Sequence, residues 1–175
     1  MAAESDVPAI VDFYTLNRDF LAPWEPARPE GFLSESWWRD MVKKSIADFA
    51  ADRAMRLFMF PSAGGNAVLG SINFTNFIRG AFHACFLGYA LAEREQGKGL
   101  MTEALTACLP CVFHELGMHR VMANYMPRNE RSGRLLERLG FTREGEARDY
   151  LLINGRWEDH VLTSRVNPDW DYPGR

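Results

Sequence analysis

Six consecutive residues, Arg94-Glu95-Gln96-Gly97-Lys98-Gly99, have the composition of an anion-binding loop. They stand between an apolar run, Cys85 to Leu91, and a helix-like run, Leu100 to Glu115. A strand that feeds a glycine loop and then a helix presents the first backbone N–H groups of that helix outward, because they lack intrahelical partners. Gly97 and Gly99 allow this backbone to approach a phosphate with no side chain in between. The chemistry expected is the binding of a phosphorylated cofactor. Two common phosphate loops fail the comparison. A Walker A loop needs a magnesium-binding hydroxyl after Gly-Lys, and Gly99 follows Gly97-Lys98 instead. The dinucleotide fingerprint needs a third glycine where Thr102 stands.

Other reactive side chains are few. Cys108-Leu109-Pro110-Cys111 matches C-x-x-C, but it lies well inside the helical run that begins near Leu100. A redox pair needs the helix N-terminus to lower a thiol pKa, so apolar packing beside a proline kink is the better expectation. With Cys85 the cysteines are odd in number, which does not suggest a disulfide framework. No Cys/His grouping has zinc spacing, and no metal site is expected.

The elements that must position the loop follow from periodicity. A first helix is expected from about Asp6 to Arg18, capped by Ser5 or Asp6, with Pro8 in its first turn. Phe20-Leu21-Ala22-Pro23-Trp24-Glu25-Pro26 reads as an aromatic loop. Ser34 caps a second helix to about Ala51, with Trp37, Met41, Ile46 and Phe49 among its apolar positions. Strands are expected near residues 55–60, from Val68 to Phe74 and from Phe82 to Leu91. After the glycine loop come a helix to about Leu116, a strand Arg120 to Tyr125 and a short helix from Asn129 or Glu130 closed by Gly140. Two last strands, about Phe141 to Ile153 and Trp157 to Ser164, meet at Asn154-Gly155, a type I′ hairpin signal. This order predicts a mixed α/β sheet rather than a doubly wound parallel one.

The chain has 175 residues, of which 47% are hydrophobic and 25% charged, suited to one domain over 1–175. A net charge of −3 with no basic block argues against a broad nucleic-acid surface. No apolar run is long enough to span a membrane, and Met1 to Asp6 has no signal-peptide pattern, so a cytoplasmic protein is expected.

The loop that remains, Arg/Gln-x-x-Gly-x-Gly after a strand, resembles the pyrophosphate loop of the GNAT acetyltransferases. Asn129-Glu130-Arg131-Ser132 and Leu135-Leu136-Glu137-Arg138-Leu139-Gly140-Phe141 follow at the separation that family shows. More narrowly, the segments 20–26, Gly88-Tyr89, 97–101, 122–127 and 149–155 resemble the ribosomal-protein-alanine N-acetyltransferases, over nearly the whole chain. The resemblance implies the GNAT fold, a mostly antiparallel mixed sheet flanked by helices. It also implies acetyl-CoA as acetyl donor and the N-terminal tail of a small-subunit ribosomal protein as acceptor. The family's first strand has no counterpart before Asp6, and a shortened start is expected, leaving the strand near 55–60 with an unpaired edge.

By the same resemblance, the donor is held by backbone near Leu87, Gly88 and Tyr89 and by the N–H groups of Gln96, Gly97, Lys98, Gly99 and Leu100. Arg94 and Lys98 add positive charge, and Asn129, which also suits a helix N-cap, contacts the pantetheine arm. The chemistry belongs where two parallel strands splay, after Tyr89 and beside Asn124. Many members place a tyrosine to protonate the departing thiolate, where this chain has Leu136; Ser132 is the substitute expected in this subgroup. His83, Asp149, Asp159 and His160 are the candidate bases, with His83 favoured for lying on the strand that enters the site. Phe20, Trp24 and Tyr150 are expected to wall a substrate groove. The alternatives are a small-molecule amine acetyltransferase, a non-catalytic acetyl-CoA-binding module and a thiol-redox role for Cys108 and Cys111.

Overall fold

A computed structural model of the chain describes residues 1–171. Helix α1 (Val7–Leu16) carries Pro8 in its first turn, where a missing N–H breaks no helical bond. A short helical turn, α2 (Arg18–Leu21), and a 3-10 turn (Ala22–Trp24) follow. The segment expected as an aromatic loop is therefore helical through Trp24. Pro23 interrupts nothing because it falls in the opening turn of the 3-10 segment.

Helix α3 (Glu35–Ala50) starts at the expected cap, with the Trp37 N–H donating to Ser34 Oγ at 3.3 Å. Its buried face differs from the expected one. Trp38 and Val42 are buried, while Ile46 and Phe49 are 47% and 38% exposed. The helix is rotated so that Asp48 is buried among three cations, Lys44 at 2.9 Å, Arg53 at 2.9 Å and Arg56 at 2.8 Å. A buried carboxylate needs such partners, and they come from the helix and from the chain entering the next strand.

Six strands form one sheet, β1 (Met55–Met59), β2 (Gly70–Ile78), β3 (Ala84–Leu91), β4 (Arg120–Met122), β5 (Thr142–Ile153) and β6 (Arg156–Val166). Their order is β1-β2-β3-β4-β6-β5, with β3 and β4 parallel and the other neighbours antiparallel. The expected mixed, mostly antiparallel sheet is present. Among the described residues β1 pairs on one edge only, with β2, and no strand precedes α1. Asn154 and Gly155 both have positive φ, +43° and +83°, as their type I′ turn requires.

Alternation along β3 divides the core between the two faces of the sheet. Cys85, Leu87 and Leu91 face helices α4 (Leu100–Pro110) and α5 (Glu130–Arg138), packing with Leu105, Leu109, Leu135 and Leu136. Ala90, from the opposite face, packs with Val7, Ile10, Phe13 and Trp38 of α1 and α3. The long helix expected to run to Leu116 changes at Pro110 into a π-type turn, Cys111–Glu115. Proline removes one backbone donor and crowds the preceding turn, and the wider turn accommodates this.

Candidate active site between diverging strands

Strands β3 and β4 pair only from Ala84 to Phe86 opposite Arg120 to Met122. Beyond that point β3 stays with β2, through Phe74↔Leu87 to Gly70↔Leu91. The chain after β4 stays with β6 instead, Ala123 N donating to Thr163 O at 3.0 Å and Tyr125 N to Val161 O at 3.2 Å. The strands part as a wedge, and one edge of β3 from Leu87 to Leu91 has no strand beside it. Backbone donors and acceptors on such an edge are available to a ligand.

Two cavities meet at this wedge. The first, about 620 Å³, lies toward α5 and is lined by residues that include Leu87, Gly88, Tyr89, Gln96, Asn129 and Ser132. The second, about 690 Å³, lies toward α3, with Phe32, Trp37, Phe58, Asn73 and Tyr150 in its wall. Leu87, Gly88 and Asn124 border both. Asn124 is fixed from two sides, its Nδ2 donating to Tyr150 Oη at 3.1 Å and its Oδ1 accepting from Thr163 N at 3.2 Å.

In the first cavity Tyr89 Oη and Ser132 Oγ are 2.7 Å apart, linking β3 to the first turn of α5. Burial, only partly opposed by the Ser132 hydrogen bond, pushes the Tyr89 hydroxyl up to about 12. Asn129 both lines this cavity and caps α5, its Oδ1 accepting from Ser132 N at 3.2 Å. Leu136 is buried in the core, away from solvent. Gly133 was not singled out in the sequence, yet a Cβ there would lie 2.9 Å from the Tyr125 ring. Its absence lets Tyr125, another lining residue, come close to the α5 backbone.

Gln96 leads from the cavity into the glycine loop, held by its Nε2 donating to Leu91 O at 3.0 Å. Gly97 and Gly99 have φ of +76° and +79°, and Gly99 is the N-cap of α4. Nothing lies within 4 Å of the Cβ position at Gly88, Gly97 or Gly99, so side chains there would project into open space that a ligand needs. A phosphate-bearing group that extends along β3 fits this cradle. The cations expected to assist, Lys98 and Arg94, both lean on Glu95, at 2.9 and 3.5 Å. Arg131 and Arg134 of α5 and Arg128 also line the cavity, cations that lie outside the glycine-loop pattern.

His83 lies elsewhere. It precedes β3 at the paired end, its Nδ1 against Gly80 O and its ring 4.8 Å from that of Trp170. Strand β3 runs from this end toward the wedge, so His83 sits on the strand's path but at its far end, outside both cavities. Asp149 and Asp159 are exposed hairpin residues bound to each other, Asp149 N donating to Asp159 Oδ1 at 2.9 Å. His160 is the candidate base that lines the first cavity. Its Nδ1 faces Glu158 O at 2.9 Å, and since a carbonyl only accepts, Nδ1 holds the proton and Nε2 of the neutral ring keeps its lone pair. Phe20 and Trp24 wall the first cavity and Tyr150 the second, so the expected aromatic groove is split between them. Glu25, another unforeseen residue, adds a carboxylate paired with Arg28; burial raises its pKa against the pull of that cation.

Burial pushes the Cys85 thiol up to about 12 and raises Cys108 and Cys111 as well. All three cysteines are free thiols, and raised pKa values disfavour the thiolate a redox pair requires. No helix among the described residues is long and apolar enough to cross a membrane.

The chain is 47% identical over 172 residues to the [Ribosomal protein uS5]-alanine N-acetyltransferase of Escherichia coli (strain K12), covering 98% of this chain and 88% of that protein. The structure of a ribosomal-protein-S5-alanine acetyltransferase from Vibrio fischeri superposes with a TM-score of 0.94 at 37% identity, covering 98% of this chain and 93% of the other. Mycobacterium smegmatis RimJ, solved in complex with CoA-disulfide, gives a TM-score of 0.88 at 25% identity, covering 98% of this chain and 82% of the other. Residues 1–142 match the family model of the acetyltransferase (GNAT) domain, and the chain belongs to that family.

Proposed function

We propose that this protein transfers the acetyl group of acetyl-CoA to the α-amino group of a protein N-terminus, an alanine of a small-subunit ribosomal protein. The observation that carries this reading is the meeting of two cavities at Leu87, Gly88 and Asn124. A donor held along one side and an acceptor arriving from the other make contact only there. The extensive identity to the uS5-alanine enzyme of Escherichia coli supports the choice of acceptor.

Acetyl-CoA supplies an activated acyl group on a thioester; the residues do the rest. The N–H groups of Gln96 to Leu100 hold the pyrophosphate. The free edge of β3 from Leu87 to Leu91 and the Asn129 side chain align the pantetheine arm, and an N–H of that edge polarises the thioester carbonyl. Glu25 and His160 line the donor cavity, so they meet the acceptor's ammonium group once it has passed the shared residues Leu87, Gly88 and Asn124. An α-amine has a pKa of about 7.7 to 8.0, so it needs only modest help to become neutral, and His160 Nε2 takes the proton. Ser132 donates to the departing sulfur.

Mass spectrometry of ribosomal proteins from a strain lacking the gene reports reaction and acceptor together. Loss of acetylation on one alanine-starting small-subunit protein is expected. A purified enzyme that acetylates free small amines but no N-terminal peptide overturns the reading. His160→Ala is expected to cut kcat/KM about 100-fold near neutral pH, with part of the loss recovered as the pH rises and the amine deprotonates unaided. An unchanged pH profile would remove His160 from the mechanism.

A further inference from the structure

Which way the Tyr89–Ser132 bridge is donated matters to the leaving group. Both partners are hydroxyls, each with one proton to give and lone pairs to accept. A phenol is a far stronger acid than an aliphatic alcohol, so in the 2.7 Å bridge Tyr89 Oη is the better donor and Ser132 Oγ the better acceptor. The Ser132 backbone N–H is already given to Asn129 Oδ1, which fixes the start of α5 and the place of the Ser132 Cβ. A serine in a helix commonly turns its hydroxyl back to a carbonyl one turn earlier. Tyr89 competes with that arrangement from the cavity side, and its ring is held in the apolar cluster that includes Leu87 and Leu135.

We propose that Tyr89 is a positioning residue for Ser132. By donating to Ser132 Oγ, it occupies one lone pair and leaves the serine's own proton facing the first cavity, which both residues line. This inference rests on the reading of Ser132 as the thiolate's partner. In the transfer the C–N bond forms, the C–S bond breaks and its electron pair stays on sulfur. Sulfur takes the Ser132 proton, and the proton that the amine gives to His160 is passed on through water to restore Ser132. Tyr89 keeps its own proton throughout, consistent with a hydroxyl that burial keeps un-ionised.

The test uses the full-length enzyme with acetyl-CoA and an alanine-starting peptide, comparing Tyr89→Phe, Ser132→Ala and the double variant. Ser132→Ala is expected to lower kcat about 100-fold and Tyr89→Phe about 10-fold, with KM for acetyl-CoA within about twofold of the parent. The double variant is expected to be no slower than Ser132→Ala, because Tyr89 acts only through Ser132. A second probe avoids deletion: 3,5-difluorotyrosine at position 89 brings the phenol's ionisation into the assay range. A phenolate can only accept, so Ser132 would turn its proton toward it, and kcat should gain a new falling alkaline limb. Multiplicative losses in the double variant, or no alkaline limb, overturn the proposal. An impaired Ser132→Ala beside a fully active Tyr89→Phe overturns the inference alone; a fully active Ser132→Ala overturns the role of Ser132 and this inference with it.

Discussion

The two cavities that share Leu87, Gly88 and Asn124 differ in chemistry as much as they overlap in position. The one beneath α5 brings together hydroxyls, amides, an imidazole and several guanidinium groups. The one beneath α3 is walled by aromatic rings, with Tyr14, Phe32, Trp37 and Trp38 in mutual contact. The first suits a charged, extended donor whose leaving group must be protonated. The second suits a short residue that is placed by shape against those rings, with Arg28, Arg56, Asn73 and Asn124 among the polar groups of its wall. The difference teaches that diverging strands alone do not make the site; each face of the sheet supplies its own half.

The strongest way to break the comparison is to remove what both halves share. Asn124→Ala deletes the bonds to Tyr150 Oη and Thr163 N and should lower kcat/KM about 100-fold, raising KM for both substrates. An effect on one substrate only would show that the cavities work independently.

Asp48→Asn tests the wall of the α3 cavity. Asp48 binds Arg56, which lines that cavity. The hydrogen bond from Lys44, with those from Arg56 and Arg53, holds the Asp48 carboxyl well below the usual carboxylate range. A depressed folded pKa contributes stability that is present above the unfolded value of about 3.9 and is lost as pH falls from there through the folded value. The variant should unfold more easily by about 2 kcal/mol at pH 7, and the gap should narrow below about pH 4 in denaturant titrations. KM for acetyl-CoA should not move.

Tyr150→Phe should raise the acceptor's KM about fivefold through loss of one hydrogen bond, leaving that for acetyl-CoA unchanged. The smallest effect is expected for Cys108→Ala with Cys111→Ala, whose steady-state rate should stay within about twofold of the parent, as for packed residues with no chemical role.

The parts legible in the sequence were those governed by local rules. Ser34 and Gly99 cap the starts of the helices expected after them, and Asn154-Gly155 turns the expected hairpin. The rotation of α3 was not legible, since its spacing allows a stripe through Ile46 and Phe49 as readily as one through Trp38 and Val42. What decided it was a charged residue, Asp48, whose partners at Arg53 and Arg56 lie beyond the helix. His83 misled for a related reason. A residue's place along a strand gives its distance from the wedge only when the end at which the strands part is known.

The sequence by itself determined the glycine loop, the order of elements and the family resemblance, because strand, loop, cap and hairpin are set by neighbours a few residues apart. The tertiary structure alone decided that β3 and β4 separate after three paired residues, that Tyr89 reaches Ser132 across 43 positions of chain, and that His160 rather than His83 faces the cavity. Those facts depend on the pairing of β4 with β6 and on the packing of α5 against β3. No local pattern encodes such long-range packing; it emerges only when the two layers of helices close on the sheet.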